Sequence, residues 1–434
     1  MVLVGINGFG RIGKSIFIQI LKQKNLKVVA LNIPNFDINN IKTYLNYDTC
    51  HQYPIVDDIE VIDHEYFSIG NQKIRVFNNR NAQEINWKKY NIEFVIDSTG
   101  AYLTTEKVTL HNVNYVIMCA PPKDNTPQFI VNGNHTLYQG ERYVSNSSCT
   151  TNCIVPVLKF LEDHYQIKTA NFTTIHATTA SQTTIDTNHL DKRTHRSIYN
   201  NIIPHTTGAS KAITKIIPSL KGKIFGTSLR VPVINVSLID LNVKLEKKTD
   251  LPSLLEHFRE CQFILVNDKK HLVSSDFNTT SCPSIIDSHA CLQLSDNEFK
   301  LLIWYDNEWS YSSKVIQLVS YMSNYNLQQQ KQSHPLFIEN LNYLNQRVVL
   351  RLDWNIPIQN GRITDDYRIK SSLKTIYYLL KQNPKYLILV SHLGRPKSKE
   401  DQFSWKNYLD QIQKYFETPI VFLPEIISET TNTL

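Results

Sequence analysis

The sequence predicts an α/β protein in three parts: a parallel-sheet domain, an α+β domain and a partial C-terminal α/β unit. Short apolar runs alternate with helix-like segments through the first 150 residues, which is typical of parallel strands joined by crossover helices. From Thr150 to about Lys300 the apolar runs lengthen and become strand-rich, and a fresh strand and helix pattern begins after Pro335. The predicted boundaries are 1–148, 149–308 with a helix over about 309–326 packing back on the first domain, a linker at 327–334, and the unit 335–434.

Composition excludes several classes of protein. The 434 residues exceed what one core usually spans, so more than one domain is expected. No apolar run approaches the roughly 18 residues of a membrane helix, and no signal-type leader is recognisable, so we expect a cytoplasmic protein without a membrane partner. The net charge of +7 is not gathered into a basic block, which argues against nucleic-acid binding. The seven cysteines suit a reduced compartment, and no metal site is predicted.

A glycine-rich turn predicts dinucleotide binding in the first domain. Gly8, Gly10 and Gly13 follow the strand-like run 2–6 and precede the helix-like run 14–22. Such glycines permit a tight turn, a close backbone approach to a diphosphate and close helix packing, and the helix N-terminus attracts the anion. The alternative is an ordinary tight turn, but the strand before the motif and the helix after it favour a Rossmann-type NAD(P)-binding domain.

The acidic residue expected about 20 residues beyond this turn, which binds the adenosine ribose, is missing. Ile33 stands in its place. Loss of a charge-assisted hydrogen bond of about 1.5 to 3 kcal/mol weakens NAD binding roughly tenfold or more, and it also removes the repulsion that excludes a 2′-phosphate. We therefore expect weak discrimination between NAD and NADP unless Asn32, Asn35 or Asp37 takes over the ribose.

Cys149 is a candidate nucleophile. It follows a strand and opens a helix-like segment, where the helix N-terminus is expected to lower the pKa of a thiol. The hydroxyls of Ser148 and Thr150 and the adjacent backbone N–H groups are suited to bind phosphate, and His176 is positioned to act as a base. Taken alone, either Cys149 or His176 is more often structural, and Cys153 is assigned only a packing role.

Seven segments together carry a specific resemblance. GINGFGRIG, SNSSCTTNC, TTIHATTASQ, NIIPHTTGASK, RVPVINVS, SSDFN and WYDNEWSYS occur in the order and at about the spacing seen in glyceraldehyde-3-phosphate dehydrogenases, over about residues 1–326. The resemblance implies oxidation of glyceraldehyde 3-phosphate with NAD(P) and inorganic phosphate to 1,3-bisphosphoglycerate, through a cysteine thioester. It also implies a homotetramer.

The same resemblance implies roles for individual residues in the reaction. Cys149 would be the nucleophile and His176 its acid/base partner. Thr179 and Arg230 are similar to the pair that holds the phosphate of the substrate. The residues similar to the inorganic phosphate site are Ser148, Thr150, Thr207 and Gly208.

For the cofactor, Arg11 and Ile12 would supply backbone contacts to the diphosphate beside the three glycines. Asn307 resembles the residue that orients the nicotinamide amide. Arg80 and Cys119 fall where the family contacts the adenosine and ribose side, although a Ser or Thr is usual at position 119. The changes at 33 and 119 bear on cofactor affinity and leave the reaction unchanged.

The final hundred residues resemble a different family. The segments RVVLRLDWNIP, GRITDDYRI and SHLGRPK are similar to the N-terminal part of phosphoglycerate kinase. That resemblance implies a 3-phosphoglycerate site made by Asp353, Asn355, Arg368, His392 and Arg395. The match contains no nucleotide lobe, so we expect no kinase activity from these residues. A fusion whose other part is encoded separately, a remnant and a docking module all remain open.

Two other functions compete. The residues after the nucleophile, CIVPV, are similar to erythrose-4-phosphate dehydrogenase, whereas TTGASK keeps the phosphate-binding pattern of the phosphorylating enzyme. Phosphate dependence of turnover separates these two. The altered ribose site and the partial kinase segment also permit a cofactor-poor binding protein, which a cofactor titration would detect.

Overall fold

The computed structural model describes residues 1–52, 58–188, 193–333, 338–394 and 403–423. The chain divides into two compact units, residues 1–331 and 332–434. Each unit has an apolar core of its own. None of the helices in the described ranges combines the length and apolar character that a membrane crossing requires.

An eight-stranded sheet forms the first domain. Its strands are β1 (Val2–Asn7), β2 (Leu26–Asn32), β3 (Ile59–Val61), β4 (Tyr66–Ile69), β5 (Gln72–Phe77), β6 (Phe94–Asp97), β7 (Tyr115–Met118) and β8 (Tyr143–Ser145), in the spatial order β3-β4-β5-β2-β1-β6-β7-β8. Six neighbouring strands are parallel, in the spatial order β5-β2-β1-β6-β7-β8. Strands β3 and β4 add an antiparallel edge. The strand order reverses between β1 and β6, where doubly wound sheets bind ligands at their carboxyl ends.

Three helices accompany this sheet: α1 (Arg11–Ile20), α2 (Ile41–Asn46) and α3 (Thr105–Val108). Helix α1 follows β1 directly and is buried from Gly13 to Ile20. The parallel sheet with its crossover helix confirms the predicted α/β fold of the first domain.

A second eight-stranded sheet is mixed. Its strands are β9 (Ile167–His176), β10 (Ile203–His205), β11 (Ile224–Arg230), β12 (Ser237–Leu245), β13 (Leu265–Asn267), β14 (Ile285–Asp287), β15 (Leu292–Ser295) and β16 (Glu298–Tyr305), in the order β10-β11-β9-β12-β16-β14-β13 with β15 paired to β16. Its helices are α4 (Cys149–Tyr165), α5 (Ala209–Ile216) and α6 (Leu251–Arg259). Buried residues alternate along β12 and β16, so one face of the sheet packs on these helices while the other faces outward. The predicted α+β domain is confirmed.

Helix α7 (Trp309–Ser333) returns to the first domain, where residues from Trp309 to Met322 pack into the core of the first sheet. The sequence predicts a linker over 327–334, but residues 327–333 continue this helix. Leu327, Gln328 and Gln329 are exposed, and such residues form helix well without an apolar period. The missing period therefore indicates an exposed helix and not an irregular segment.

The second unit is a small βαβ structure. It contains β17 (Arg347–Arg351), β18 (Ile358–Gln359), β19 (Arg362–Ile363), α8 (Tyr367–Lys381), β20 (Tyr386–Val390) and α9 (Leu409–Gln413). Strands β17 and β20 are parallel, with α8 between them in sequence. Trp354, Ile369, Ile376 and Ile412 lie in its core. The predicted partial α/β unit is thus folded around its own apolar cluster.

Candidate active site

The side chains of Cys149 and His176 meet, although they are 27 residues apart. Cys149 is the first residue of α4. Ser148 caps this helix, because its hydroxyl oxygen accepts the Thr151 N–H at 3.1 Å. His176 is the last residue of β9, and its Nε2 lies 3.3 Å from Cys149 Sγ. At this distance a proton can pass directly between the thiol and the imidazole.

The other ring nitrogen of His176 is held by the backbone. Nδ1 lies 2.7 Å from the carbonyl oxygen of Ala177. A carbonyl only accepts, so this contact favours a proton on Nδ1. Arg230, the last residue of β11, lies opposite His176 in register, donates to the same carbonyl at 3.1 Å and also meets Nδ1, where a guanidinium can only donate. The two contacts at Nδ1 favour opposite tautomers, and both leave Nε2 facing Cys149.

Burial dominates the ionisation of this pair. It raises the pKa of the Cys149 thiol, and the charge of Arg230 and the N–H of Thr150 offset that effect only in part. Burial, with repulsion from Arg230, lowers the pKa of His176 to about 3. The helix N-terminus predicts a lowered thiol pKa, but the net shift is upward because burial outweighs it. Burial thus favours the neutral form of both groups.

Arg230 offers a donor to an anion. Its Nε is buried and has no hydrogen-bond partner within the described residues. An unpaired buried donor costs about 1 to 3 kcal/mol, and an oxyanion would satisfy it. Thr179, three residues beyond His176, bonds through its hydroxyl to Ser181 at 2.9 Å and Gln182 at 3.0 Å. Of the two predicted substrate-phosphate residues, Arg230 thus has the unused donor and Thr179 is held within its own loop.

The hydroxyls predicted to meet inorganic phosphate are already hydrogen-bonded inside the protein. Thr150 Oγ1 lies 3.0 Å from the buried Tyr305 Oη, which lies 2.8 Å from Thr174 Oγ1. Ser148 caps α4. What this helix end offers an anion is mainly its backbone N–H groups, which have no intrahelical partner. Sequence reasoning did not identify Tyr305, because nothing local links it to position 150.

Thr207 and Gly208 lie at a second helix N-terminus. Thr207 Oγ1 accepts the Ala209 N–H at 3.2 Å, and Gly208 is the exposed N-cap of α5 without a side-chain cap. Strand β10 leads into this helix and pairs with β11, the strand that ends at Arg230. Because the two strands are antiparallel, Ile203 lies opposite Arg230, and His205 lies two residues further along β10, opposite Ser228.

The glycine-rich turn fits a dinucleotide diphosphate. Gly8 has φ +87°, a left-handed conformation that favours glycine, and a Cβ at Gly13 would collide with the Gly8 carbonyl. At Gly10 a Cβ would meet nothing within 4 Å, so there is space above the start of α1. Helix α1 has neither a side-chain cap nor an acidic residue in its first turn. The N–H groups of Arg11 and Ile12 are therefore available to an anion.

The end of β2 carries no acid. Ile33 is buried beside the first core. The side-chain amide of Asn32 donates to Asn7 Oδ1 at 2.7 Å and to the Asn79 carbonyl at 2.8 Å, and its oxygen accepts the Asn79 N–H at 3.0 Å. Asn32 is fully used within the protein and does not replace the missing carboxylate.

The remaining predicted residues on the adenosine side are distributed around this strand end. The Asp37 carboxylate caps a short turn by accepting the Asn39 N–H at 3.0 Å, whereas Asn35 is exposed. Arg80 is exposed as well, and Cys119 is half-buried. Asn35, Asp37 and Arg80 are thus exposed polar side chains near this strand end, and the printed bonds of Asp37 engage only Oδ1.

A hydrogen bond within the protein holds one end of the Asn307 side-chain amide. Its Oδ1 accepts the Ser237 hydroxyl at 2.8 Å, and Ser237 Oγ in turn accepts the Ala177 N–H at 3.0 Å. With Oδ1 engaged, Nδ2 is the part of the amide left for a ligand carbonyl. The same bonds tie Asn307 to the residue that orients His176.

Glu308, next to Asn307, belongs to a charge network that the sequence did not predict. Its carboxylate accepts Arg11 Nη2 at 2.6 Å and lies 2.9 Å from His51 Nε2. Asp48 accepts Arg11 Nη1 at 2.7 Å. The network ties the first turn of α1 to the segment that carries Asn307. Arg11 and Glu308 are 297 residues apart, so no local pattern signals the pairing.

Cys50, His51 and Glu308 also bring three possible metal-ligand atoms within 4.8 Å of one another. Both carboxylate oxygens of Glu308 already accept bonds from Arg11, and one of them also meets His51. Burial raises the pKa of the Cys50 thiol to about 11. The cluster is therefore accounted for as a hydrogen-bond network, and we assign no metal site to it.

In the second unit, the predicted anion-binding residues lie after two parallel strands. Asp353 follows β17 and accepts Arg368 Nη1 at 2.6 Å, with both side chains largely exposed. Asn355 Oδ1 accepts the Gly394 N–H at 2.9 Å after β20, and His392 is exposed. Arg395 lies outside the described residues.

Comparisons with known proteins agree with this division. Residues 2–105 match the family model of the glyceraldehyde 3-phosphate dehydrogenase NAD binding domain, residues 148–307 match that of the C-terminal domain of the same family, and residues 338–434 match that of phosphoglycerate kinase. Glyceraldehyde-3-phosphate dehydrogenase A of Escherichia coli strain K12 is 39% identical over 331 residues, which are 74% of this chain and 99% of the relative. The glyceraldehyde-3-phosphate dehydrogenase of Phytophthora infestans is 40% identical over 330 residues, 74% of this chain and 98% of the relative.

Proposed function

The chain belongs to the glyceraldehyde-3-phosphate dehydrogenase family of oxidoreductases, and we propose that it oxidises D-glyceraldehyde 3-phosphate to 1,3-bisphosphoglycerate through a thioester on Cys149. One observation carries the proposal: Cys149 Sγ lies 3.3 Å from His176 Nε2, beside the unpaired donor of Arg230. A nucleophile, its base and an anion donor thus stand together.

We propose that Arg230 and Thr179 bind the phosphate of the substrate. The charge of Arg230 adds to burial in lowering the pKa of His176, and it opposes burial in the pKa of Cys149. A bound phosphate would neutralise that charge, which makes His176 a better base and also withdraws a stabilising charge from the Cys149 thiolate.

The covalent steps follow from the residue types. The thiol proton moves to His176 Nε2 as Sγ bonds to the aldehyde carbon, giving a hemithioacetal. His176 gives that proton to the oxygen of the former aldehyde and takes it back as the carbon gives up a hydride, for which NAD or NADP would be the acceptor; a thioester remains. Inorganic phosphate attacks the thioester, and the Cys149 thiolate leaves with the bonding pair. The backbone N–H groups at the starts of α4 and α5 are suited to bind that phosphate.

NAD or NADP, when bound, supplies the hydride acceptor. The turn formed by Gly8, Gly10 and Gly13 would hold its diphosphate on the N–H groups of Arg11 and Ile12. The Nδ2 of Asn307 would orient the nicotinamide amide. Because position 33 itself carries no carboxylate, we propose that the enzyme uses both cofactors, unless Asn35 or Asp37 binds the ribose instead.

A homotetramer is the proposed assembly. Ile185, Tyr199, Ile202, Phe225 and Ile234 are large apolar side chains that lie exposed in the second domain. Such side chains favour an interface where they form one contiguous patch. Size measurement in solution tests this assembly.

For the second unit we propose an anion-binding edge, formed by Asp353, Asn355, Arg368 and His392, without phosphoryl transfer. Arg368 and His392 are suited to a phosphate or carboxylate, whereas transfer also requires groups that hold a nucleotide γ-phosphate. Formation of ATP from 1,3-bisphosphoglycerate and ADP by the purified 434-residue chain would contradict this.

Steady-state rates with glyceraldehyde 3-phosphate test the main proposal. They are measured with and without inorganic phosphate, using NAD and NADP in turn. We expect turnover that requires phosphate and proceeds with either cofactor. Turnover that is independent of phosphate, or that is faster with erythrose 4-phosphate, would favour erythrose-4-phosphate dehydrogenase activity instead.

A further inference from the structure

We infer that His205 recognises the inorganic phosphate that attacks the thioester, an assignment that rests on the proposed function. His205 is the last residue of β10 and is half-buried. None of the roles proposed above uses it. Its register, its ring orientation and its neighbours along the chain all place it at the phosphate side of the site.

The sheet register brings His205 onto the catalytic face. His205 lies opposite Ser228 of β11, and Ser228 lies opposite Thr174 of β9. Side chains of paired residues share a face of a sheet, as do residues two apart on one strand. Arg230 and His176 lie two residues beyond Ser228 and Thr174, so His205 is on the face that carries both of them.

The electrostatics agree with this placement. The charge of His205 is among the causes that lower the pKa of His176, after burial and Arg230. A Coulombic influence weakens with distance, so it supports a place for His205 near His176.

The ring of His205 leaves one nitrogen for a ligand. Nδ1 lies 2.7 Å from the carbonyl oxygen of Thr206, so Nδ1 carries a proton and Nε2 lies on the other side of the ring. His176 uses the same arrangement with its own following carbonyl, at 2.7 Å from Ala177. In the cationic form of His205, Nε2–H donates to an oxyanion with the strength of a charge-assisted bond.

The neighbours of His205 indicate which phosphate it meets. Thr207 and Gly208 lie two and three residues after His205 and lead into α5, whose first-turn N–H groups are anion donors. The start of α5 is proposed above to bind the attacking inorganic phosphate. His205 is therefore assigned to the same ligand.

The test compares two substitutions at this position in the full chain. His205→Gln keeps a hydrogen-bonding side chain that cannot become a cation, whereas His205→Lys supplies a cation. His164→Gln is a matched control, because His164 also bonds a backbone carbonyl through Nδ1, at 2.8 Å from Phe160, and lies near the far end of α4. Each variant is assayed for KM for inorganic phosphate, KM for glyceraldehyde 3-phosphate, and the burst of reduced cofactor without phosphate. Thermal melting verifies the fold of each.

We expect His205→Gln to raise KM for inorganic phosphate about three- to tenfold, since the site is partly open to solvent. His205→Lys should restore it to within about twofold. The burst and the aldehyde KM should not change in either variant. An unchanged phosphate KM in folded His205→Gln, a rise in the aldehyde KM alone, or no recovery in His205→Lys would overturn the assignment. Wild-type turnover without any need for phosphate would instead overturn the proposed function, and this is read before any variant is made.

Discussion

Both units place polar side chains at the ends of parallel strands, but the two sets of side chains differ in burial. In the first, His176 and Arg230 end the parallel strands β9 and β11; in the second, Asp353 and His392 follow the parallel strands β17 and β20. His176 is only 4% exposed, whereas the side chain of Asp353 is 67% exposed. Strand topology therefore provides the place for a site, and burial determines how strongly its charges act on one another.

The largest difference should appear when the nucleophile is removed. Cys149→Ser should lower phosphorylating turnover by about four orders of magnitude or more, because a serine alkoxide forms and leaves poorly in this neutral pair. Steady-state assay measures the loss, and fluorescence titration should show unchanged cofactor binding. Cys153→Ala, four residues along the same helix, is the control and should keep nearly full turnover. Substantial activity in Cys149→Ser would contradict the assigned nucleophile.

Removing the base should have the next largest effect. His176→Asn should slow hydride transfer roughly 100- to 10,000-fold, because the thiol then has no acceptor for its proton. Single-turnover measurement of reduced cofactor, compared with cofactor affinity, separates chemistry from binding. A variant with weakened cofactor binding and an unchanged single-turnover rate would place His176 outside the chemistry.

The next prediction concerns the choice between NAD and NADP in the first unit. Wild-type kcat/KM values for NAD and NADP should lie within about tenfold of each other, and Ile33→Asp should shift their ratio toward NAD by about tenfold or more. The carboxylate would regain the ribose bond and repel a 2′-phosphate. A strong preference for NAD in the wild-type enzyme would show that another group already replaces the acid, and melting temperature verifies that the buried position tolerates the change.

The smallest effect is expected in the second unit. Asp353→Asn should change the free energy of unfolding by less than about 1 kcal/mol, because its partner Arg368 is also largely exposed and solvent screens the pair. The buried counterpart is Glu308→Gln. Burial alone would raise the pKa of the Glu308 carboxyl, but hydrogen bonds from His51 and Arg11 hold that pKa below its ordinary value. In urea unfolding, Glu308→Gln should therefore lower the free energy of unfolding by more than Asp353→Asn does. Equal losses would contradict the role given to burial.

The architecture was largely predictable from the sequence, because it depends on local signals. The glycine-rich turn between an apolar run and a helix-like run indicates the first domain, and the segment around Cys149 indicates a helix start. The continuation of α7 over 327–333, which is exposed at Leu327, Gln328 and Gln329, was wrongly predicted because an exposed helix needs no apolar period.

Contacts between distant segments could not be predicted in the same way. The pairing of Arg11 with Glu308 and the chain from Thr150 through Tyr305 to Thr174 join residues far apart in sequence. The pKa of Cys149 was also mispredicted, because a helix N-terminus is visible in sequence and burial is not. Each miss depends on tertiary packing.

The central claim is that Cys149 carries the acyl group. It is tested most directly by mixing enzyme, cofactor and glyceraldehyde 3-phosphate without inorganic phosphate, quenching in acid, and locating the acyl adduct by peptide mass spectrometry. The account predicts a near-stoichiometric adduct on the peptide that contains Cys149, and its discharge to 1,3-bisphosphoglycerate when phosphate is added before the quench. Reduced cofactor formed without an adduct, or an adduct on another residue, would contradict it.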